Sequence, residues 1–184
     1  MTRILAFLLL SLPIPAHAAG PEATARSFFQ DLIGVASLAE PDTRTGRVAT
    51  LVNEKFDFSA FYERAVADHW SSWSETQKGD FDGRFRKKFI DHLSNHLNFL
   101  DRIAGATVSY ATRWKDGSHV VVTAKGRVEG KGIPVHLYLI HSQGVWRVYD
   151  LEISGANLSR NYRGMINYVV RNKGFEGLLA KLDT

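Results

Sequence analysis

The spacing of the apolar residues changes partway along the chain, and this change restricts the possible folds more than any other feature. Up to about residue 101, apolar side chains recur every three or four positions, as in the stripe between Phe81 and Leu100. In residues 119–128 and 133–141 they alternate with other side chains. A repeat near 3.6 is typical of helices, and a repeat of two is typical of half-buried strands. The sequence therefore predicts helices followed by strands.

The first helix is predicted over residues 21–38, because Pro21 suits a first turn and the apolar residues after it fall on one face. Residues 40–46, EPDTRTG, are expected to form a turn or loop, followed by a short helix around Leu51. A further helical stripe covers residues 58–70. Residues 21–70 are thus expected to be largely helical.

A longer helix is expected after residue 73. Ser74 and Gln77 have the spacing of a capping box, in which each side chain bonds the backbone of the other residue. The apolar stripe that follows predicts a helix to about residue 101, with Gly83 or Ser94 as the place for a bend.

Four strands are predicted in the second half of the chain, over residues 106–114, 119–128, 133–141 and 145–153. Turns that contain glycine connect them, and such short connections make neighbouring strands antiparallel. The result is a four-stranded antiparallel meander with one apolar and one polar face.

Helical spacing returns after the turn at Ser154 and Gly155. Apolar residues from Leu158 onward lie on one helical face, Gly174 is expected to end that helix, and residues 175–182 form a last short one. Helices packed on one face of an antiparallel meander make an α+β fold.

The N-terminus has the layout of a secretory signal peptide. Arg3 precedes a short apolar run, and Ala16-His17-Ala18 forms an A-x-A cleavage site. We expect residues 1–18 to be removed, leaving a single domain over residues 19–184. The chain has no cysteine, so it forms no disulfide, which is compatible with export to a bacterial periplasm. Nucleic acid is not expected as a partner of an exported protein.

Two side-chain pairs could carry chemistry, but each has a simpler interpretation. His92 and His96 share a helical face, yet Leu93 stands where a zinc protease helix has glutamate, so packed or surface histidines are favoured over a metal site. Asp150 and Glu152 share a strand face and could act as acid and base, although a solvated strand edge explains them equally well. No nucleotide-binding or serine-hydrolase motif is present. We therefore predict neither catalysis nor a cofactor.

The apolar and basic surfaces leave two further questions open. Walls of Phe, Leu, Val and Ile could enclose either a closed core or a cavity for acyl chains. The basic stretch RFRKK could be a solvated helix face, or it could dock acidic headgroups or an acidic partner.

Residues 146–182, WRVYDLEISGANLSRNYRGMINYVVRNKGFEGLLAKL, resemble the C-terminal signature of the MlaC-type periplasmic phospholipid-binding proteins, also called the toluene-tolerance auxiliary family. The matching motifs are W-x-V-Y-D, N-Y-R and G-x-x-G-L-L-x-x-L. The upstream stretch that begins FDFSAFYERAV is also similar to the family's. The chain departs from the family at Asp68-His69, where Leu-Gly is usual, and at Asn157, where Ser is favoured. These departures bear on the identity of the ligand more than on the fold.

The resemblance implies a lipid carrier with an apolar cavity between the helices and the sheet. Acyl chains would enter the cavity while the headgroup stays in water. The carrier would move phospholipid between an outer-membrane lipoprotein complex and an inner-membrane ABC transporter complex with a membrane-anchored subunit. A branch of the family associated with hopanoids makes a polycyclic lipid the alternative ligand.

The expected lipid-binding residues come from three parts of the chain. The candidates in the helices before the sheet are Phe61, Tyr62, Val66, Phe85, Phe89 and Leu93. The candidates on the strands are Val120, Val122, Leu137 and Leu139. The candidates on the last long helix are Tyr162, Met165, Ile166 and Val169. The rim or partner contacts are expected at Arg84, Arg86, Lys87, Lys88, Asn161 and Arg163.

Two other classes of function remain open from the residues. One is a periplasmic scaffold module of the same fold with a filled core and no lipid. The other is an enzyme that uses Asp150 or His96.

Overall fold

The computed structural model describes residues 19–67, 69–97, 100, 107–128 and 131–184. The predicted signal peptide lies outside these residues. The helices in chain order are α1 (Pro21–Ala36), α2 (Pro41–Lys55), α3 (Phe58–Ala65), α4 (Glu75–His96) and α5 (Leu158–Leu182), with a 3₁₀ turn at Trp70–Ser72. The strands are β1 (Ser109–Trp114), β2 (His119–Val128), β3 (Lys131–Ser142), β4 (Val145–Ile153) and β5 (Ala156–Asn157).

The sheet has the predicted meander topology, with one strand more than predicted. Its order is β1-β2-β3-β4-β5, and every neighbouring pair is antiparallel. The additional strand β5 pairs Asn157 with Glu152 directly after the turn at Gly155. Two residues are too few to produce an alternating pattern, which is why the sequence did not indicate β5. The α+β class is confirmed.

Residues 41–46 are helical, so the prediction of a turn or loop over residues 40–46 was wrong. Helix α2 begins at Pro41, whose fixed φ and missing N–H suit a first turn, and Asp42 lies near the positive end of the helix dipole. Val48, Leu51 and Val52 are buried farther along α2. The residue types in EPDTRTG are common in turns, but they also suit the first turns of a helix that faces solvent.

Two predicted helices end earlier than expected. Helix α3 stops at Ala65, and Ala67 has a positive φ of 28°, which ends the helical path before Trp70. Helix α4 has the predicted capping box between Ser74 and Gln77, but it ends at His96 rather than near residue 101. The first strand is also shorter than predicted. It begins at Ser109 rather than at residue 106.

The helices cover one face of the sheet. Paired residues such as Val120 and Leu139, or Val122 and Leu137, share that face and are almost fully buried. Helix α1 packs on β1 to β4, while α3 and α5 contact β4. Helix α4 lies against α2 and α5. Among the described residues, no helix is both long and apolar enough to cross a membrane.

Helix α5 contains the break that the sequence predicted. Gly174 has φ 66° and ψ −171°, whereas the residues on either side are helical. A straight helix of this length would separate Leu158 from Leu182 by roughly 36 Å. The kink therefore permits both ends of α5 to approach the same neighbouring helix.

Candidate functional site

The aromatic residues expected to line a cavity form one cluster. Phe61, Tyr62, Phe85 and Phe89 are almost fully buried, and Tyr162 of α5 packs against three of them. The ring centroids of Tyr162 and Phe85 are 4.9 Å apart, and those of Phe61 and Phe85 are 5.6 Å apart. The structure thus brings together residues from α3, α4 and α5 that are separated by up to about a hundred positions.

The other predicted lining residues lie in or against the same core. Val66, Ile166 and Val169 are buried with the strand residues Val120, Val122, Leu137 and Leu139, while Leu93 and Met165 are partly buried. The helix that packs on β2 and β3 is α1, whose Phe28 and Phe29 are buried. The sequence-based site did not include α1, because its apolar stripe is that of any core helix.

An apolar groove lies between α4 and α5, on the outer side of Tyr162. Its volume is about 240 Å³. The lining residues are Lys88, His92, Leu158, Asn161, Tyr162, Met165, Lys181 and Leu182. Tyr162 faces this groove and contacts the aromatic cluster with its ring, so it separates the two. Burial raises the pKa of the Tyr162 hydroxyl to about 12.

Four of the groove residues were predicted and four were not. Lys88, Asn161, Tyr162 and Met165 were expected at the wall or the rim, whereas His92, Leu158, Lys181 and Leu182 were missed. The sequence contained a signal for Leu158, since this residue shares a helical face with Tyr162 and Met165. No sequence pattern indicated Lys181 and Leu182, because only the kink at Gly174 places the end of α5 beside its beginning.

The polar rim of the groove is basic. Lys88 and Lys181 line it, and none of the eight lining residues is acidic. His92 stacks on His96 with a centroid distance of 4.2 Å, and His96 Nδ1 donates to the His92 carbonyl at 2.8 Å. Burial, followed by the charges of His96 and Lys88, lowers the pKa of His92. Neutral His92 can therefore donate or accept a hydrogen bond at pH 7.

Among the described residues, His92 and His96 do not belong to a larger cluster of possible metal ligands. Within the described part of the chain, no group of three or more His, Cys, Asp or Glu residues is placed to hold a metal ion.

The basic residues of the RFRKK stretch on α4 lie in different environments. Arg84 forms an ion pair with Asp183 near the end of α5. Arg86 binds Asp82 at 2.8 Å and lies 4.1 Å from the Phe58 ring centroid. Lys87 is exposed, and Lys88 lines the groove. Of the remaining rim candidates, Asn161 lines the groove and Arg163 is exposed but is not one of its lining residues.

Asp150 is fully buried, so the interpretation as a solvated strand edge was wrong for this residue. Its carboxylate accepts hydrogen bonds from the Leu151 and Ser159 backbone amides, from Ser159 Oγ and from Asn157 Nδ2, at 2.6–3.0 Å. Arg64 Nε lies 3.5 Å away. Asn157 also caps α5 by accepting from the Arg160 amide. The carboxylate therefore fixes the start of α5 against β4.

A larger groove of about 390 Å³ lies between α1 and α2, but its lining is mixed in charge. Asp31, Arg47, Glu54 and Lys55 are among its lining residues, and Lys55 binds Asp31 at 2.5 Å. Charged walls disfavour the burial of an alkyl chain. The groove between α4 and α5 is therefore the better candidate for an amphiphile, because it combines an apolar lining with a basic rim.

The chain is similar to known proteins in both sequence and fold. The sequence model of the family described as MlaC protein matches residues 24–184. The solved structure of a phospholipid-binding protein from Ralstonia solanacearum, in complex with a phospholipid, superimposes with a TM-score of 0.74 and 26% sequence identity. The alignment covers 90% of this chain and 96% of the Ralstonia chain. No curated protein sequence matches the chain.

Proposed function

The chain belongs to the MlaC protein family, and from this premise we propose that it is a periplasmic carrier of phospholipid. The observation that carries the proposal is the apolar groove between α4 and α5, backed by the buried aromatic cluster behind Tyr162. The phospholipid held by the Ralstonia protein, which shares the fold and a quarter of the sequence, supports the same class of ligand.

The binding step requires the burial of acyl chains without any covalent chemistry. Each buried methylene group contributes about 0.8 kcal/mol, so a few groups held against Met165, Leu158 and Leu182 already stabilise a complex. Since no bond is made or broken, we propose no enzymatic activity and no cofactor.

A phospholipid needs more room than the groove offers. The volume of about 240 Å³ is below the roughly 300–1,000 Å³ of pockets that enclose drug-sized ligands, which are smaller than a phospholipid. Loading must therefore separate α4 from α5 and move Tyr162 off Phe85. The chains would then reach the aromatic cluster, and Phe61, Phe89 and Ile166 would become ligand contacts.

The transport partners follow from the family resemblance. We propose that the carrier receives or delivers lipid at an outer-membrane lipoprotein complex and at an inner-membrane ABC transporter with a membrane-anchored subunit. The predicted signal peptide supports the periplasmic location of this exchange. Lys87, which is exposed on α4, is available for contact with such a partner.

Lipid occupancy tests the proposal directly. Native mass spectrometry of protein purified from a bacterial host should detect one or more phospholipid adducts, with the lipid identified after extraction. Met165→Glu should lower the occupancy severalfold, because a charge in the apolar wall opposes burial of an acyl chain. The partial exposure of Met165 should let the fold persist, as judged by the urea midpoint.

A matched control is available on the same helix. Tyr168 is 69% exposed and is not among the groove residues, so Tyr168→Glu should leave occupancy unchanged. Recovery of the wild-type protein without phospholipid, together with no uptake from phospholipid vesicles, would refute the carrier and favour a scaffold. Extraction of a polycyclic lipid instead of a phospholipid would keep the carrier function and change the class of its ligand.

A further inference from the structure

The groove has features that select among lipid headgroups, and this inference rests on the proposed lipid-carrier function. Arg84, Lys88 and His92 follow one another at intervals of four along α4, which places them in one row. Lys88 and His92 line the groove, while Arg84 is engaged by Asp183 at the end of α5. This ion pair joins the end of α5 to α4 next to Lys181.

The two lysines at the groove lack a described acidic partner. Neither Lys88 nor Lys181 forms an ion pair within the described residues, although Arg84 beside them does. Asp183, the nearest acidic residue in sequence to Lys181, is bound to Arg84. Two ammonium groups therefore border an apolar surface, and neither is paired with a carboxylate of the described residues.

The positions of these charges match the two parts of an anionic amphiphile. Leu158, Met165 and Leu182 offer apolar contact for the first methylene groups of an acyl chain. Lys88 comes from α4 and Lys181 from the returning end of α5, so the two lysines approach the groove from different elements. Asn161 and the neutral His92 add hydrogen-bonding groups to the same lining.

We propose that this groove selects phospholipids of net negative charge, with the phosphodiester held between Lys88 and Lys181. A zwitterionic headgroup would bring its own ammonium group to a lining that contains two lysines and no carboxylate. A headgroup with no positive charge, such as glycerol, avoids this repulsion. Attraction of the phosphate is common to both headgroups, so the discrimination arises from repulsion of the headgroup that carries an ammonium group.

Competition within one vesicle measures the preference. Delipidated protein is mixed with vesicles of equimolar dioleoyl phosphatidylglycerol and dioleoyl phosphatidylcholine, and the lipids carried by the recovered protein are counted by native mass spectrometry. Because both lipids have the same chains and the same vesicle, attraction of the protein to the membrane surface affects them equally. We expect about five-fold more phosphatidylglycerol, the order of magnitude that repulsion of the choline ammonium by two partly exposed lysines would give.

The variant Lys88→Gln with Lys181→Gln should bring the loaded ratio close to one. The control Arg171→Gln with Lys173→Gln removes the same charge from exposed positions of α5, outside the groove lining, and should keep the wild-type ratio. High salt should also reduce the wild-type preference, because ions screen the lysines.

The outcomes separate this inference from the carrier function. Equal loading of both lipids by the wild type, or an unchanged preference in the groove variant, would overturn the headgroup selection and leave the carrier intact. Loss of preference in the control variant would assign the effect to overall charge and also overturn it. Failure of the wild type to load either lipid would refute the carrier itself.

Discussion

At the scale of single residues, Asp150 shows how a side chain that looks reactive serves the architecture. Its carboxylate has no exposed surface, and its hydrogen bonds come from the β4 backbone, from the cap residue of α5 and from Ser159. A buried carboxylate with this many donors is stabilised where it is and is inaccessible to a substrate. Asp150 therefore positions α5, and with it Tyr162.

Replacing Asp150 should be costly for stability. Asp150→Asn exchanges an acceptor oxygen for an NH₂ group that faces other donors, so we expect a loss of about 2–4 kcal/mol in the free energy of unfolding, measured with urea. Glu152, half-buried on the same strand, accepts from the Tyr138 hydroxyl at 3.0 Å. Glu152→Gln keeps that acceptor and should change stability by less than about 0.5 kcal/mol. Similar values for both variants would contradict the role given to Asp150.

At the scale of elements, the kink of α5 determines which residues form the groove. The first half of α5 supplies Leu158 and Met165, and the end supplies Lys181 and Leu182. The φ and ψ values of Gly174 lie in a region that residues with a Cβ atom strongly disfavour. One glycine thus couples a local backbone conformation to the composition of the binding surface.

Two glycines in α5 should respond in opposite directions to alanine. Gly174→Ala should lower stability by about 1–3 kcal/mol, since an added Cβ meets no atom within 4 Å and the cost is the backbone conformation alone. Gly164, which is helical and equally open, should gain about 0.5–1 kcal/mol on the same substitution. Urea unfolding of both variants tests this. A stabilising Gly174→Ala would mean that α5 tolerates a straight path.

At the scale of the whole molecule, the proposed phospholipid is larger than the groove, so its binding should be linked to the stability of the fold. A ligand that binds only the folded state stabilises it by mass action, by about 2.7 kcal/mol at a concentration a hundred times the Kd. In this structure the aromatic cluster is closed, with Tyr162 on Phe85. Under the proposed carrier function, loading would exchange part of that packing for contacts with acyl chains.

Removal of lipid should therefore lower the resistance to unfolding. We compare the lipid-loaded protein with protein that has been delipidated under denaturing conditions and refolded. The delipidated protein should have the lower urea midpoint, and incubation with phospholipid vesicles should restore the higher value. In Met165→Glu the difference between the two preparations should shrink. Identical midpoints for loaded and delipidated wild-type protein would contradict linkage between ligand and fold.

Much of the architecture could be predicted because it is written in local patterns. The capping box at Ser74, the alternation in β2 and β3, and the break at Gly174 each depend on a few neighbouring residues, and all three were confirmed. The helix over residues 41–46 was missed because Pro, Asp and Gly are common both in turns and at helix starts. The two-residue strand β5 was missed because it forms only by pairing with β4.

The site was predictable only in part. The sequence by itself determined the α+β class, the apolar helical faces and the family motif that contains Asp150 and Tyr162. The tertiary structure decided that Asp150 is a buried anchor, that Arg84 and Arg86 are occupied by ion pairs, and that Lys181 joins Lys88 at one groove. The reason is physical: periodicity records which side of an element is apolar, whereas burial and charge pairing depend on which distant element packs against it.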